Sequence, residues 1–473
     1  MKISILFSAY SCFIFLLTLS ACKQSNYSVI QGNSNGSTTG ASNGGASSGG
    51  GGGTPLSINW KFIDGGFDTG INYSSSRSAD SMDLSWAELN SKLYISWTEA
   101  DSSFRKKVRI AVYNNNDNSP AWTHVGGGSS GLSFNSNRDA DQSRLEVLNS
   151  KLYAAWTEFG ASNTTSSIRV FVFNGNDSSP SWASVDGGGS NGLAYNTSNN
   201  ASDFDLISFN NKLYVFWREQ DEGPTTFVRI RAKVYNGNDS SPSWSWVDGG
   251  GASGLNFNNS QSAVQPKAVV LNSKLYLLWN EYNGTTSAQL RVAVYNGNDS
   301  TPSWSFVDGN GLNGINWQSS RSTNWKDAIV ANSKLYVTWQ EHSGSNWTIR
   351  AANYNGNDLS PSWTFIDGSI QGGLNYLPNH EAISPSITSD GSNILIAWTE
   401  FGEIMVKSLD ISSLNSSWQF QDNGGNGLNY NSSPSPSGSA PGIAFWNNRF
   451  FLGWNEYLPS CSCMQYRMRV GIK

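Results

Sequence analysis

From Leu56 onward the chain is written in short runs of β-branched and aromatic residues, each closed by Asn, Gly, Ser or Pro. No stretch sustains the 3.6-residue period of a helix. One ten-residue phrase recurs, Asn-Ser-Lys-Leu-Tyr-x-x-Trp-x-Glu, clearest at residues 149–158 and 332–341. Its Trp-x-Glu core stands at Trp97, Trp156, Trp217, Trp279, Trp339, Trp398 and Trp454, in steps of 59, 61, 62, 60, 59 and 56 residues. A second ladder runs beside it: Trp60, Trp122, Trp182, Trp244, Trp304, Trp363 and Trp418. Two seven-fold ladders at one offset mean one structural unit used seven times.

The third unit shows its elements. DFDLISF reads as a strand, Asn210-Asn211 as a tight turn, and KLYVFWRE as the next strand. FVRIRAKVY and SWSWVD follow as third and fourth strands, separated by the turn NGNDSSP. Four short antiparallel strands per unit, seven times over, predict an all-β fold, a seven-bladed β-propeller. The repeats open on LSINWKFIDGG, which reads as a fourth strand, and finish on YRMRVGIK, which reads as a third. The N-terminal strand is therefore expected to complete the last blade and close the ring, leaving no long edge.

Residues 1–21 are expected to be removed as an export signal: Lys2, then an apolar run that ends in small residues. Leu19-Ser20-Ala21-Cys22 resembles the lipobox of bacterial lipoproteins. The resemblance implies cleavage before Cys22, lipid (palmitate-type acyl chains) on that residue, and a membrane anchor in the cell envelope. Lys23, where a retention signal would place Asp, leans toward the outer membrane. Residues 22–55 then form a Gly/Ser/Asn tether reaching about 30 Å, and residues 56–473 the propeller. Cys461 and Cys463 are expected as a local disulfide or two oxidisable thiols.

Charged residues are 14% of the chain and the formal net charge is −5. There is no Lys/Arg run, which sets nucleic acid aside as a partner. An Arg recurs on the third strand, at Arg109, Arg169, Arg231, Arg291, Arg350 and Arg469, with Met405 in the sixth unit. One hairpin loop separates each from its Trp-x-Glu, so a cross-strand Glu–Arg pair is expected, as scaffold. The Gly-rich crossings at Asp186 and Asp248 lack the Gly-Lys-Ser/Thr of a phosphate loop. Carboxylate and carbonyl oxygens there suit Ca²⁺, but a tight crossing that glycine permits is preferred. No cofactor and no metal site is expected.

The turn Asn-Gly-Asn-Asp-Ser-Ser-Pro-Ser-Trp resembles a degenerate Asp-box of the sialidase-like propellers. Asp177, Asp239, Asp299 and Asp358 each precede a Trp by five residues, while Ser stands for the box's central Gly in most copies. In that family the box is structural, so the resemblance implies a fold. A sialidase would also need three arginines for a substrate carboxylate, a Tyr/Glu nucleophile pair and an acid Asp. Arg77, Arg138, Arg144, Arg218 and Arg321 lie outside the repeat ladder, and no Tyr/Glu pair stands out from the repeated ones.

Specificity belongs where the units differ. Counting back from each second-strand turn selects first-strand positions, among them Asp83, Arg144, Asp203, Asp205, Lys267, Trp325 and Asp327 as candidate binding residues. Units one to five are polar there, and six and seven carry Ser, Ala or Gly. The expected function is a lipid-anchored envelope or surface binding protein for a glycan or a protein partner. The alternatives are a scaffold subunit of an outer-membrane complex and a sialidase-like glycosidase. No catalytic residue is singled out.

Overall fold

The computed structural model describes residues 60–473 except 66–69, 161–164, 188, 190, 222–226, 285–286, 310, 312, 369–371, 414–415, 423–426, 430–437 and 459–464, and the side chains of 81–83, 438 and 458. The leader, Cys22, the tether, Cys461 and Cys463 lie outside the described residues.

The chain from Ser57 to Lys473 forms seven four-stranded antiparallel sheets. In six of them the four strands follow chain order from inner edge to outer. Blade three is representative: Ala201–Phe209, Lys212–Gln220, Val228–Tyr235 and Trp244–Trp246. The seventh sheet is assembled from both ends of the chain. Gly438–Trp446, Arg449–Leu458 and Gln465–Ile472 are completed by the N-terminal strand Lys61–Phe62, with Lys61 opposite Ile472. The ring is closed as the offset of the repeats implies.

Each residue of the repeated phrase has a physical task. Asn149 and Ser150 both have positive φ, 50° and 58°, which is the turn that matches strand twist in a two-residue hairpin. Lys151 and Tyr153 reach out of blade two and hold Asp239 in the turn of blade three, at 2.5 and 2.9 Å. The same latch joins Lys92 and Tyr94 to Asp177, Lys212 and Tyr214 to Asp299, and Lys274 and Tyr276 to Asp358. At the seam Arg449 of blade seven pairs with Asp117 of blade one. The carboxylates of these turns are thus clasps between blades.

The Trp of Trp-x-Glu is buried in every blade, with at most 1% of its surface exposed. Its indole N–H donates to the Glu two residues on, 2.7 Å for Trp217 and Glu219. That carboxylate also accepts the backbone N–H groups of Tyr195 and Asn196, which lie on the crossing into the blade. Burial pushes the carboxyls of Glu99, Glu281 and Glu341 up.

The expected Glu–Arg pair is diagonal rather than directly opposite: Arg109 attracts Glu99 and draws its carboxyl down against the larger effect of burial. In the strand register Arg109 stands opposite Trp97, and Glu99 stands opposite Lys107. The arginine also reaches the crossing: Arg231 to Asp248 at 3.5 Å, Arg291 to Asp308 at 3.2 Å, Arg350 to Asp367 at 2.9 Å. Where Gly126 replaces the Asp, Arg109 donates to the carbonyl of Gly128 at 2.5 Å. Asp186 and Asp248, considered for Ca²⁺, are the partners of Arg169 and Arg231. Glycine lets the crossing lie flat on the sheet: a Cβ on Gly192 (φ +53°) would stand 2.6 Å from the Ile168 carbonyl oxygen.

The second Trp ladder joins the blades at their outer edge. Each indole N–H donates to a backbone carbonyl of the preceding blade: Trp122 to Ile63, Trp182 to Val125, Trp244 to Val185, Trp304 to Val247, Trp363 to Val307, Trp418 to Ile366 and Trp60 to Gln421, all at 2.7–2.9 Å. Trp244→Phe keeps the ring and leaves the Val185 carbonyl without its donor. The expected cost is about 1–3 kcal/mol, read as a lowered denaturation midpoint with an unchanged slope. An unchanged midpoint would show that this bond is idle.

Candidate functional site

The seven inner strands face one cavity of about 430 Å³, to which every blade contributes. Their geometry near its mouth is irregular. In blade three the register slips between Ser202 and Phe204, leaving Asp203 as a β-bulge with φ +43°. The same slip puts Gln142 at +57°, Gln265 at +56°, Trp325 at +28°, Ser384 at +55° and Ala440 at +47°. A bulge re-aims a side chain, and a positive φ on a residue as bulky as Trp325 is a strained conformation that persists only when its surroundings impose it. Pro266, Pro385 and Pro441 follow the bulge directly. A residue without an N–H fits there, because the ladder bond is already interrupted.

Five of the seven candidate binding residues line the cavity: Arg144, Asp203, Lys267, Trp325 and Asp327. Asp205 lies behind them, 4% exposed. Asp83 falls on the inner strand Ala79–Leu89, within its irregular stretch, and its side chain is outside the described residues. Blades six and seven contribute Ser384, Ser386, Ala440 and Gly442 together with apolar Ile387, Ile443 and Phe445, so that side of the wall carries no charge.

The charges are paired across blades. Arg144 of blade two meets Asp205 of blade three at 3.6 Å, and Lys267 of blade four meets Asp327 of blade five at 3.1 Å. Two of these carboxylates also stitch the ring. Asp205 accepts the Ala268 N–H at 2.8 Å, and Asp327 accepts the Ile387 N–H at 3.0 Å and the Ser386 hydroxyl at 3.1 Å. Asp203 is held differently. Arg218 contacts one oxygen at 2.9 Å, and the Gln142 amide donates to the other at 2.7 Å.

Three more groups shape the electrostatics. Burial pushes the Lys326 amine down to about 7, with Lys267 adding repulsion against the attraction of Asp203 and Asp205. Lys326 donates to the Asn280 side-chain oxygen. Burial pushes the Glu146 carboxyl up to about 7, although the Ser208 hydroxyl donates to it at 2.7 Å. Burial opposes the Lys267 ammonium, but Asp205 and Asp327 outweigh it and hold its pKa above the ordinary value.

Lys326 and Glu146 are absent from the sequence-derived candidates, and Arg218 is named there only among the arginines outside the ladder. Two left a signal. Arg218 occupies the middle of Trp-x-Glu, where other blades carry Thr, Asn or Gln, and Lys326 occupies a position that is otherwise apolar, Pro or Ser. Of the five arginines considered for a substrate carboxylate, Arg144 and Arg218 are at the mouth. Arg77, Arg138 and Arg321 stand on the turns that lead into blades one, two and five. Among the described residues no group of three or more His, Cys, Asp or Glu is placed to hold a metal ion.

No protein-family model matches this chain, and no curated protein matches it. Its fold is found among solved structures. The polysaccharide lyase Uly1 superposes with a TM-score of 0.51 at 9% identity, covering 83% of this chain and 89% of the lyase. The α-L-arabinofuranosidase of Fusarium graminearum, of glycoside hydrolase family GH93, gives 0.44 at 12% identity, covering 88% and 98%. An α-L-arabinanase of Penicillium chrysogenum gives 0.44 at 15%, covering 76% and 99%. The likeness is one of fold.

Glu146 yields a signed expectation. Its folded pKa lies above the unfolded value, so its contribution to stability is complete below about pH 4 and is lost as pH rises through about 7. Glu146→Gln should leave the melting temperature unchanged at pH 4 and raise stability by about 1–3 kcal/mol at pH 8. A difference that is independent of pH would show that the carboxyl is solvated.

Proposed function

We propose that the propeller is a glycan-binding module whose site is the mouth of the inner-strand cavity. The bulge carries the reading. In six blades it departs from regular pairing at the same place, and it presents Gln142, Asp203, Gln265 and Trp325 to one cavity. Amide and carboxylate groups there complement sugar hydroxyls, which both donate and accept, and the indole offers a face to sugar C–H groups. The polysaccharide lyase that shares this fold acts on a polysaccharide by its description. Its 9% identity makes that a matter of fold.

The reading extends to location. Lipidation of Cys22 in Leu-Ser-Ala-Cys would hold the module on the cell envelope, in the outer membrane, at the end of its tether.

Two measurements test these statements. On a glycan array the protein should bind a restricted set of oligosaccharides, and Asp203→Asn and Trp325→Ala should each weaken that binding about tenfold or more. A blank array at high protein concentration, with an envelope protein recovered by crosslinking, would replace the reading with the scaffold one. Cys22→Ala should move the protein from the membrane fraction to the soluble one and abolish labelling by an alkynyl fatty acid. Retention in the membrane fraction would overturn the anchor.

A further inference from the structure

A third ladder, which no mechanism above uses, runs around the crossings into the blades. Tyr73, Phe134, Tyr195, Phe257, Trp317 and Tyr376 occupy one equivalent position, and the seventh copy, Tyr430, lies outside the described residues. Four of them are exposed despite their size: Tyr73 39%, Phe134 38%, Tyr195 39% and Tyr376 43%. Phe257 and Trp317 are half-buried.

Each is rigidly held. Its own backbone N–H donates to the Glu of Trp-x-Glu, at 2.6–2.9 Å in all six blades. In five blades the ladder arginine lies under one face of the ring, 3.9–4.4 Å from its centre. Covering that arginine is not the ring's purpose. In blade six Met405 replaces the arginine, and Tyr376 remains as the most exposed member of the set.

The surroundings are those of a sugar platform. Each aromatic is followed at once by a tight turn, closed by Arg138 N–H to Asn135 carbonyl in blade two and Asn199 N–H to Asn196 carbonyl in blade three. The central residues of these turns, Ser136, Asn137, Thr197 and Ser198, are small, polar and exposed. Between these two turns lies a second cavity of about 210 Å³, lined by Arg138, Ala194 and Thr197 among others. Each turn leads directly into its inner strand, so the aromatics stand on the face that carries the mouth.

We propose that this face is a multivalent surface for a repeating polysaccharide, with one weak subsite in each of blades one, two and three, built from the exposed aromatic and its Ser/Asn/Thr turn. Tyr195 is gripped by Arg231 and meets Trp246 edge to face at 5.4 Å, and the part of the ring that stays exposed offers its C–H-binding surface to a sugar at little entropic cost. The neighbouring hydroxyls and amides hydrogen-bond the ring substituents. One such contact is weak, and several on a polymer multiply by effective concentration. The proposal goes beyond the mouth, which is a single site.

The experiment is an array that carries neutral and acidic oligosaccharides of graded length, printed at graded density, and read with the intact propeller. Stoichiometry is then taken by calorimetry on the best short oligosaccharide. The expected results are a steep gain in apparent affinity with length and density and more than one sugar bound per chain. Tyr195→Ala should weaken polymer binding about tenfold and remove a single site. As a second variant, Tyr195→Phe keeps the ring and should keep the binding, which separates lost stacking from misfolding. One sugar per chain, bound equally well short or long and lost with Trp325→Ala, would overturn this proposal and leave the mouth reading intact. Multivalent binding that survives Trp325→Ala and Asp203→Asn would do the reverse. A blank array would overturn both.

Discussion

The indole N–H of each outer-strand tryptophan donates to a carbonyl of the blade before it, and the geometry of the ring hangs on that contact. A blade of this size cannot bury its own faces; it is stable because its neighbours cover them. Seven equivalent bonds at 2.7–2.9 Å fix the spacing of the outer edges. The Asp-turn clasps fix the edge at which the Lys-Leu-Tyr strand begins. The inner edges are fixed by bonds such as Asp205 to the Ala268 N–H. With the blades held at three depths, the inner strands tolerate a bulge and a strained φ at Trp325, because the conformation is imposed from outside the strand.

That arrangement separates scaffold from variable surface. The buried Trp, the Glu that caps the crossing and the Arg paired with the crossing Asp repeat almost without change. Among the six bulge residues with positive φ, only Gln142 and Gln265 are alike. The cavity thus has charged groups on the side of blades two to five and an uncharged wall on the side of blades six and seven. The aromatic ladder belongs to neither class: its position repeats, and yet it faces solvent.

Much of this was legible in the sequence because repetition supplies its own register. The Asn-Ser turn has two residues in nearly every blade, so counting back from it reaches the same wall position each time, which is how Arg144, Asp203 and Lys267 were selected. The closing strand was legible from the offset between LSINWKFIDGG and YRMRVGIK. The crossing partner of the arginine was not. It depends on which residue of the second strand stands opposite Arg109, and the hairpin puts Trp97 there and Glu99 beside it. The second partner comes from a crossing that sequence pairing does not reach. The bulges were hidden for another reason: Gln, Asp, Trp, Ser and Ala do not announce a positive φ as Gly or Asn would. The prolines at 266, 385 and 441 were the only trace.

The most direct test is a crystal structure of residues 56–473 soaked with the best oligosaccharide from the array. The account requires ordered sugar at the mouth, within hydrogen-bonding distance of Asp203 or Gln142 and against the Trp325 ring. A fully ordered, closed ring with sugar bound elsewhere and the mouth holding only water would contradict it.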